Sequence, residues 1–217
     1  MERPRGGSGV SAAAVGRPPT RRAADLYPLR QPMSSEQALA RLIDALENEE
    51  VPYMLVGALS SNLYGVPRAT NDAVLVVEFE AFNLVEFCHR LGDEFQLDRQ
   101  MMLEGFTGSV RNVITYTPAS FQIEVFRLGN DPHHLERFAR RRRQRVPECS
   151  SEAWVATPED VVIQKLRWAR RKDLDDVVNL LAVSGDGLDW DFVWRWTIEH
   201  GTSDLLSQLR REARLDS

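Results

Sequence analysis

Residues 57–78 contain polar side chains whose types and spacing are typical of a site that handles phosphate or a metal ion. In "GVPRATNDAVLVVE", residues 65–78, Asp72 enters a run of strand residues directly after a Gly/Pro turn. Metal sites of this kind commonly carry a second carboxylate two residues on, because positions i and i+2 share one face of a strand, about 7 Å apart. Here that position holds Val74. The pattern indicates a metal site that has lost a ligand, a metal site that functions with fewer ligands, or an ordinary strand.

The next predicted strands supply a candidate partner for Asp72. In "FQIEVF", Glu124 lies on the face opposite Ile123 and Val125, because strand side chains alternate. Two hard cations held by carboxylate oxygens suit phosphoryl or nucleotidyl transfer. One cation activates the attacking oxygen, and the other stabilises the triphosphate and the leaving pyrophosphate. Asp72 and Glu124 are therefore the candidate metal-binding and catalytic residues.

A second candidate feature lies upstream, where the strand "YMLVG" runs into a short helix at "GALSS". Gly57 permits close approach of the backbone to a ligand, and Ser60 or Ser61 offers a hydroxyl. Backbone N–H groups at the start of a helix also favour phosphate. The same pattern is common at ordinary junctions between a strand and a helix, so it gains weight only in combination with the other features.

The elements that must position these residues follow from hydrophobic periodicity. Ser34 and Gln37 have the spacing of a capping box ahead of an amphipathic helix. Strands are predicted between residues 52 and 127, and two of them are joined at 118–120. From residue 131 onward the pattern is helical. The predicted fold class is α+β, a mixed β-sheet with packed helices followed by a helical C-terminal part.

Within that C-terminal part, one helical segment is predicted to begin at the Thr157 cap and to end at Gly185. Its acidic residues Asp173, Asp175 and Asp176 suit a solvated helix face, with Asp176 as the one that faces inward. The remaining histidines and aromatic residues of the C-terminal part are expected to be structural: His133, His134, His200, Trp190, Trp194, Trp196 and Phe192.

Length and composition divide the chain into three regions. The 217 residues are 43% apolar and 27% charged, and no apolar run approaches the roughly 20 residues that a membrane span requires. Residues 1–32 are rich in Gly, Pro, Ala and Arg and are predicted to be a disordered tail, although a transit peptide shares this composition and Met33 is an alternative start. The core is expected at 33–130 and a helical region at 131–217.

Charge and cysteine content limit the function classes. The net charge of −5 argues against a general nucleic-acid coat protein but not against one basic patch. The Arg-rich run at 137–145 suits such a patch that grips RNA phosphates, and equally a solvated helix. The two cysteines fit neither a disulfide framework nor a zinc site, which favours a reducing, cytoplasmic setting.

The order of these parts resembles a known family. "YMLVGALSSNLYGVPRATNDAVLVV" resembles the core motif of polymerase-β-like nucleotidyltransferases, nearest the AbiEii-type toxin and small nucleotidyltransferase branch. "TPEDVVIQKLRWARRKDLDDVVNLL" is similar to the helical segment of that branch, and the resemblance covers about residues 35–200. It implies a nucleotidyltransferase-like fold that binds a nucleoside triphosphate with Mg²⁺ or Mn²⁺. It also implies transfer of a nucleoside monophosphate to an RNA or protein hydroxyl, and a cognate antitoxin as partner.

The resemblance assigns roles to particular residues. Asp72 and Glu124 match catalytic and metal-binding positions, and Gly57, Ser60, Arg68 and Lys165 match nucleotide-binding positions.

Three positions depart from the family pattern. Val74 stands where the family has its second Asp, Glu124 where Asp is usual, and Ala58 where a small polar residue is usual. Loss of the second carboxylate predicts an impaired catalyst, with about 3–5 kcal/mol added to the barrier. Two alternatives stay open: a catalytically inactive nucleotide-binding or regulatory module of the same fold, and an RNA-binding protein that uses the Arg137–Arg145 patch.

Overall fold

The computed structural model describes residues 32–78, 83–98, 100, 102–103, 110–147 and 151–213 of the chain. The described residues from Pro32 onward form one compact unit. The tail predicted at 1–32 lies outside the described residues except for its last residue.

One mixed β-sheet organises the described part of the chain. Its strands are β1 (Tyr53–Val56), β2 (Asp72–Val77), β3 (Phe95–Leu97), β4 (Met102–Leu103), β5 (Val110–Tyr116), β6 (Phe121–Arg127), β7 (Arg142–Val146) and β8 (Ser151–Val155). The strand order is β3-β5-β6-β2-β1-β8-β7, and β4 also pairs with β5. The β2–β6 and β1–β8 pairs are parallel, and the others are antiparallel.

Helices cover both faces of the sheet. They are α1 (Ser35–Asn48), α2 (Gly57–Asn62), α3 (Leu84–Leu91), α4 (Pro132–Arg140), α5 (Pro158–Trp168), α6 (Arg171–Ser184), α7 (Trp190–Glu199) and α8 (Ser203–Ala213). Because strand side chains alternate, Leu55 and Leu75 pack toward α1 and α3, whereas Met54 and Val76 pack toward the helices from α4 to α8. The α+β fold class predicted from the sequence is confirmed.

Several local predictions are also confirmed. Ser34 and Gln37 form the capping box at the start of α1, where the Gln37 amide N–H donates to Ser34 Oγ at 3.3 Å and the Ser34 N–H donates to Gln37 Oε1 at 2.9 Å. The two strands expected around residues 118–120 are β5 and β6, joined by a 3-10 turn at Thr117–Ala119. The C-terminal Trp residues pack against the helical core, as expected.

The prediction of helix alone after residue 131 is wrong in one stretch. Strands β7 and β8 extend the sheet there, and the helix expected to carry the whole arginine run ends at Arg140. Arg142, Arg143 and Arg145 are exposed on β7, the outermost strand on that side of the described sheet. Charged side chains are common on edge strands because they prevent pairing with other chains. Such a strand lacks the apolar alternation that predicts β-structure.

The helical segment predicted between Thr157 and Gly185 is two helices rather than one. The chain turns at Ala169, which adopts a left-handed conformation with φ of 50°, and α6 begins at Arg171. The turn carries no Gly or Pro, so the sequence does not signal it. None of the helices in the described ranges is long and apolar enough to cross a bilayer.

Candidate functional site

A cleft of about 210 Å³ opens on the sheet face that packs against α5 and α6. Five of the six residues predicted to form the site line this cleft: Gly57, Arg68, Asp72, Glu124 and Lys165. They come from β1–α2, the loop before β2, β2 itself, β6 and α5. The fold therefore brings together residues that lie as much as 108 positions apart in the sequence.

Strand β2 forms the centre of the cleft floor. Val74 pairs with Val56 of β1 on one side and with Glu124 of β6 on the other, and Asp72 lies two residues earlier on the same face. Gly57 has φ of +72°, and a Cβ at this position would lie 3.2 Å from Val74 Cγ2. Glycine is therefore favoured at position 57 both by backbone conformation and by the close approach of Val74.

Short-range hydrogen bonds orient the loop that precedes β2. The Thr70 hydroxyl donates to the Asp72 carboxylate in a short contact and also lies 3.3 Å from the Asp72 carbonyl oxygen. Asn62 of α2 clamps the backbone of Arg68, since its Nδ2 donates to the Arg68 carbonyl at 2.9 Å and its Oδ1 accepts from the Arg68 N–H at 3.1 Å. These contacts fix the backbone of Arg68 and the orientation of the Asp72 carboxylate.

A network of charged side chains forms the wall of the cleft opposite the sheet. Asp176 accepts two hydrogen bonds from Arg68, at 2.8 and 3.0 Å, and one from Lys165 at 2.6 Å. Lys165 also lies 3.5 Å from Asp173, which accepts from Arg170 at 2.6 Å. Only 4% of the Lys165 side chain is exposed. The network holds the Lys165 ammonium in place between two carboxylates.

Both acidic members of this network are buried, so the predicted solvated face is wrong for Asp173. Asp173 is 1% exposed and Asp176 6% exposed, whereas Asp175 is exposed. The inward orientation predicted for Asp176 is confirmed. The reason is the turn at Ala169, after which α6 packs against α5 and directs these two carboxylates toward Lys165.

The network also shifts the pKa values of Asp176 and Arg68. Burial raises the pKa of the Asp176 carboxyl, but hydrogen bonds from Arg68 and Lys165 outweigh burial and hold that pKa below its usual range. The hydrogen bond to Asp176 is the main reason that the pKa of Arg68 is raised. Asp176 is therefore a carboxylate and Arg68 a cation at neutral pH.

A residue that the sequence did not single out contacts the predicted carboxylate on β6. Arg111 of β5 lines the cleft, and its Nη1 donates to Glu124 Oε1 at 2.6 Å. In the β5–β6 ladder Arg111 pairs with Phe126, two residues beyond Glu124, so the two charged side chains are diagonal neighbours on one face. This contact depends on strand register, which the sequence pattern does not specify.

Ser60 is the predicted site residue that lies outside the cleft. Its side chain is fully buried, and its hydroxyl donates to the Gly57 carbonyl oxygen at 3.0 Å. The geometry gives no support to the phosphate-binding role predicted for Ser60. The structure adds Lys172 and Arg170 to the lining instead. Lys165 and Lys172 are the two lysines of the whole sequence, and both line this cleft.

The cleft is cationic although the chain is acidic. Five cationic side chains among the described residues line it (Arg68, Arg111, Lys165, Arg170 and Lys172), against the lining carboxylates Asp72, Glu124 and Asp173 and the wall carboxylate Asp176. The chain as a whole carries a formal net charge of −5. A local excess of cations in a concave site attracts anionic ligands, and guanidinium groups suit phosphate in particular.

The donors present do not fit a centre with two metal ions. Val74 offers no ligand, and Glu124 already contacts the Arg111 guanidinium. Within the described ranges, no three side chains of His, Cys, Asp or Glu converge as a metal cluster. Asp72, with the Thr70 hydroxyl beside it, fits at most one cation that a ligand's own oxygens would help to hold.

The arginine run at 137–145 does not form one basic surface. Arg137 is 6% exposed and donates to Gln164 at 3.0 Å, and burial lowers its pKa to about 10. Arg140 lies 3.3 Å from Glu159 and stacks over the Phe192 ring at 3.7 Å. These contacts bury one member of the predicted RNA-binding patch, Arg137, and engage a second, Arg140, of which 26% of the side chain is exposed.

Comparison with known proteins identifies the fold. No protein-family model and no curated protein matches the sequence. The antibiotic-resistance factor ANT(2'')-Ia, an aminoglycoside nucleotidyltransferase, aligns over 83% of this chain and 99% of its own, with a TM-score of 0.52 and 10% identity. A Helicobacter pylori protein assigned as a nucleotidyltransferase aligns over 85% and 81%, with a TM-score of 0.47 and 15% identity. JHP933 from Helicobacter pylori aligns over 68% and 64%, with a TM-score of 0.41 and 16% identity.

The similarity to ANT(2'')-Ia establishes the fold and nothing finer. ANT(2'')-Ia is a nucleotidyltransferase, and the sequence motifs of this chain resemble the polymerase-β-like superfamily. The fold of the chain is therefore a nucleotidyltransferase fold.

Proposed function

We propose that this protein binds a nucleoside triphosphate in the cleft and transfers its nucleoside monophosphate to a hydroxyl of RNA or protein, at a rate limited by Val74. The observation that supports the proposal most strongly is the meeting of Asp72, Glu124 and Lys165 in one cation-rich cleft of an acidic chain. Similarity in fold to ANT(2'')-Ia points in the same direction.

The residues take roles that follow from their chemistry. Lys165 and Arg68 face the triphosphate and neutralise it, while Asp176 holds both cations in position. Gly57 lets the backbone approach the phosphates closely, because it carries no Cβ. Asp72 would hold one Mg²⁺ together with the phosphates of the nucleotide, and that cation supplies positive charge to the departing pyrophosphate when it is bound. The acceptor hydroxyl and a cognate antitoxin belong to the same proposal.

A gain of activity tests the catalytic part of the proposal. Val74→Asp places a carboxylate two residues from Asp72 and beside Glu124, where a strand presents both to the cleft. We expect Mg²⁺-dependent transfer of labelled nucleoside monophosphate to rise at least tenfold. Val74→Asn is the matched control, because it has the same shape as Asp without the charge, and it should not raise transfer. If Val74→Asp is as inactive as the starting protein, the catalytic proposal is wrong.

A non-catalytic nucleotide-binding module of the same fold is the second candidate. Val74 and the Arg111–Glu124 contact favour it, since both reduce the capacity of the site for metal ions. It predicts nucleotide binding without transfer in the starting protein. The third reading, an RNA-binding protein that uses Arg137–Arg145, has less support because Arg137 and Arg140 are engaged by neighbouring side chains.

A further inference from the structure

Arg111 and Glu124 form a charge pair at the position where a nucleotidyltransferase site would be expected to hold a metal ion. Their contact of 2.6 Å joins a guanidinium N–H to a carboxylate oxygen, a geometry typical of a strong charge-assisted hydrogen bond. The side chains are 29% and 21% exposed, so the pair is partly withdrawn from solvent screening.

Strand register places this pair beside the missing carboxylate. Glu124 is the β6 partner of Val74, and Asp72 lies two residues before Val74 on the same strand. Arg111 reaches Glu124 diagonally from β5, on the same face of the sheet. The guanidinium therefore lines the cleft next to the position where an aspartate at residue 74 would lie.

The charges explain why the two features occur together. Valine at position 74 adds no negative charge beside Glu124. The positive charge of the Arg111 guanidinium therefore offsets the charge of the Glu124 carboxylate. A divalent cation bound to Glu124 would lie close to the guanidinium and be repelled by it. Valine at 74 and arginine at 111 are therefore compatible with each other: the guanidinium of Arg111 occupies the place of a bound metal ion.

We infer that Arg111 takes the place of a second metal ion, so that the cleft binds the polyphosphate of a nucleoside triphosphate through a protein guanidinium and with little dependence on divalent cations. The one Mg²⁺ proposed at Asp72 is then needed for transfer and not for binding. This inference rests on the proposed function. It assigns to Glu124 the role of positioning Arg111 rather than that of binding metal. It also makes the affinity for polyphosphate depend on residue 111, a position that the sequence motifs do not include.

Calorimetric titration of the full-length protein tests the inference. ATP, GTP, CTP, UTP and inorganic tripolyphosphate are each titrated in Mg²⁺ and, separately, in EDTA. For the ligand that binds tightest, we expect the dissociation constant to differ less than fivefold between the two conditions. Arg111→Gln should weaken binding in EDTA at least tenfold. Arg90→Gln is the control, because it breaks a more exposed Arg–Glu ion pair, with Glu49, outside the cleft and should leave binding unchanged.

Glu124→Gln separates the two roles of the carboxylate and keeps the test decisive if Arg111→Gln does not fold. The inference predicts tighter binding in EDTA, because the glutamine amide oxygen can still accept from Arg111 while the substitution removes a negative charge beside the polyphosphate. Wild-type binding that requires Mg²⁺ and is lost in Glu124→Gln overturns the inference and leaves the proposed function standing. Absence of binding in both conditions overturns the proposed function and this inference with it.

Discussion

Replacing Asp176 by Asn tests whether the buried charge network holds the two helices of the cleft wall together. The Asp176 side chain is 6% exposed and accepts hydrogen bonds from two cations, Arg68 and Lys165. Asparagine keeps the size and one acceptor oxygen but removes the negative charge. Lys165, with 4% of its side chain exposed, then keeps only the longer contact of 3.5 Å with the Asp173 carboxylate among the ion pairs described for it.

The expected magnitude follows from burial. Removing one partner of a buried ion pair costs about 3–5 kcal/mol because the other charge is left uncompensated. The lower end of this range applies here for two reasons. Asp173 is retained beside Lys165, and Arg68 is 37% exposed, so solvent screens the interaction between Arg68 and Asp176. We therefore expect Asp176→Asn to lower the free energy of unfolding by about 3 kcal/mol. For a unit of this size the melting temperature should fall by about 6–12 °C.

Urea unfolding followed by tryptophan fluorescence at neutral pH measures the effect. Asp175→Asn is the matched control, because Asp175 is exposed on the same helix and should change stability by less than about 0.5 kcal/mol. The double variant Lys165→Met/Asp176→Asn should lose less free energy of unfolding than the two single variants lose in sum. The reason is that it also removes the Lys165 cation, which Asp176→Asn alone leaves without its main partner. If Asp176→Asn is no less stable than Asp175→Asn, the network does not hold the wall and the reasoning is refuted.

Two further predictions concern the glycine of the cleft and the buried histidines. Gly57→Ala should lower the free energy of unfolding, measured in urea, by about 1–2 kcal/mol, since φ is +72° and the new Cβ would lie 3.2 Å from Val74. Gly187→Ala is the control and should cost less, because its new Cβ meets nothing within 4 Å. Burial, aided by Arg137, lowers the pKa of His134 to about 3. The unfolded chain therefore binds a proton that the folded chain excludes as pH falls below about 6.5, and stability should fall by up to about 1.4 kcal/mol per pH unit. His134→Gln should flatten this slope, and an unchanged slope would show that His134 is not its source.

Sequence reasoning predicts the elements that carry strong local signals. The capping box of α1, the buried strands β1 and β2 and the joined strands β5 and β6 all follow from patterns within a few residues. Five of the six proposed site residues meet in one cleft because they lie on β2, β6 or α5, or in the segment that joins β1 to β2.

The features that sequence reasoning misses depend on tertiary structure. Strand β7 lacks apolar alternation because it is an edge strand. Its arginines therefore suggest a solvated helix or a basic RNA-binding patch rather than a strand. The break between α5 and α6 occurs at an alanine, and burial of Asp173 follows from that turn. Arg111 reaches Glu124 only through the register of β5 on β6, which no local pattern specifies.

Hydrogen–deuterium exchange of the full-length protein, with and without the tightest-binding nucleoside triphosphate at saturation, tests the central claim most directly. Binding in the cleft should slow amide exchange in residues 57–62, 72–77, 121–127 and 165–176, and this protection should disappear in Lys165→Met. Protection confined to other segments, or no protection at a saturating concentration, would contradict the claim that this cleft is a nucleotide-binding site.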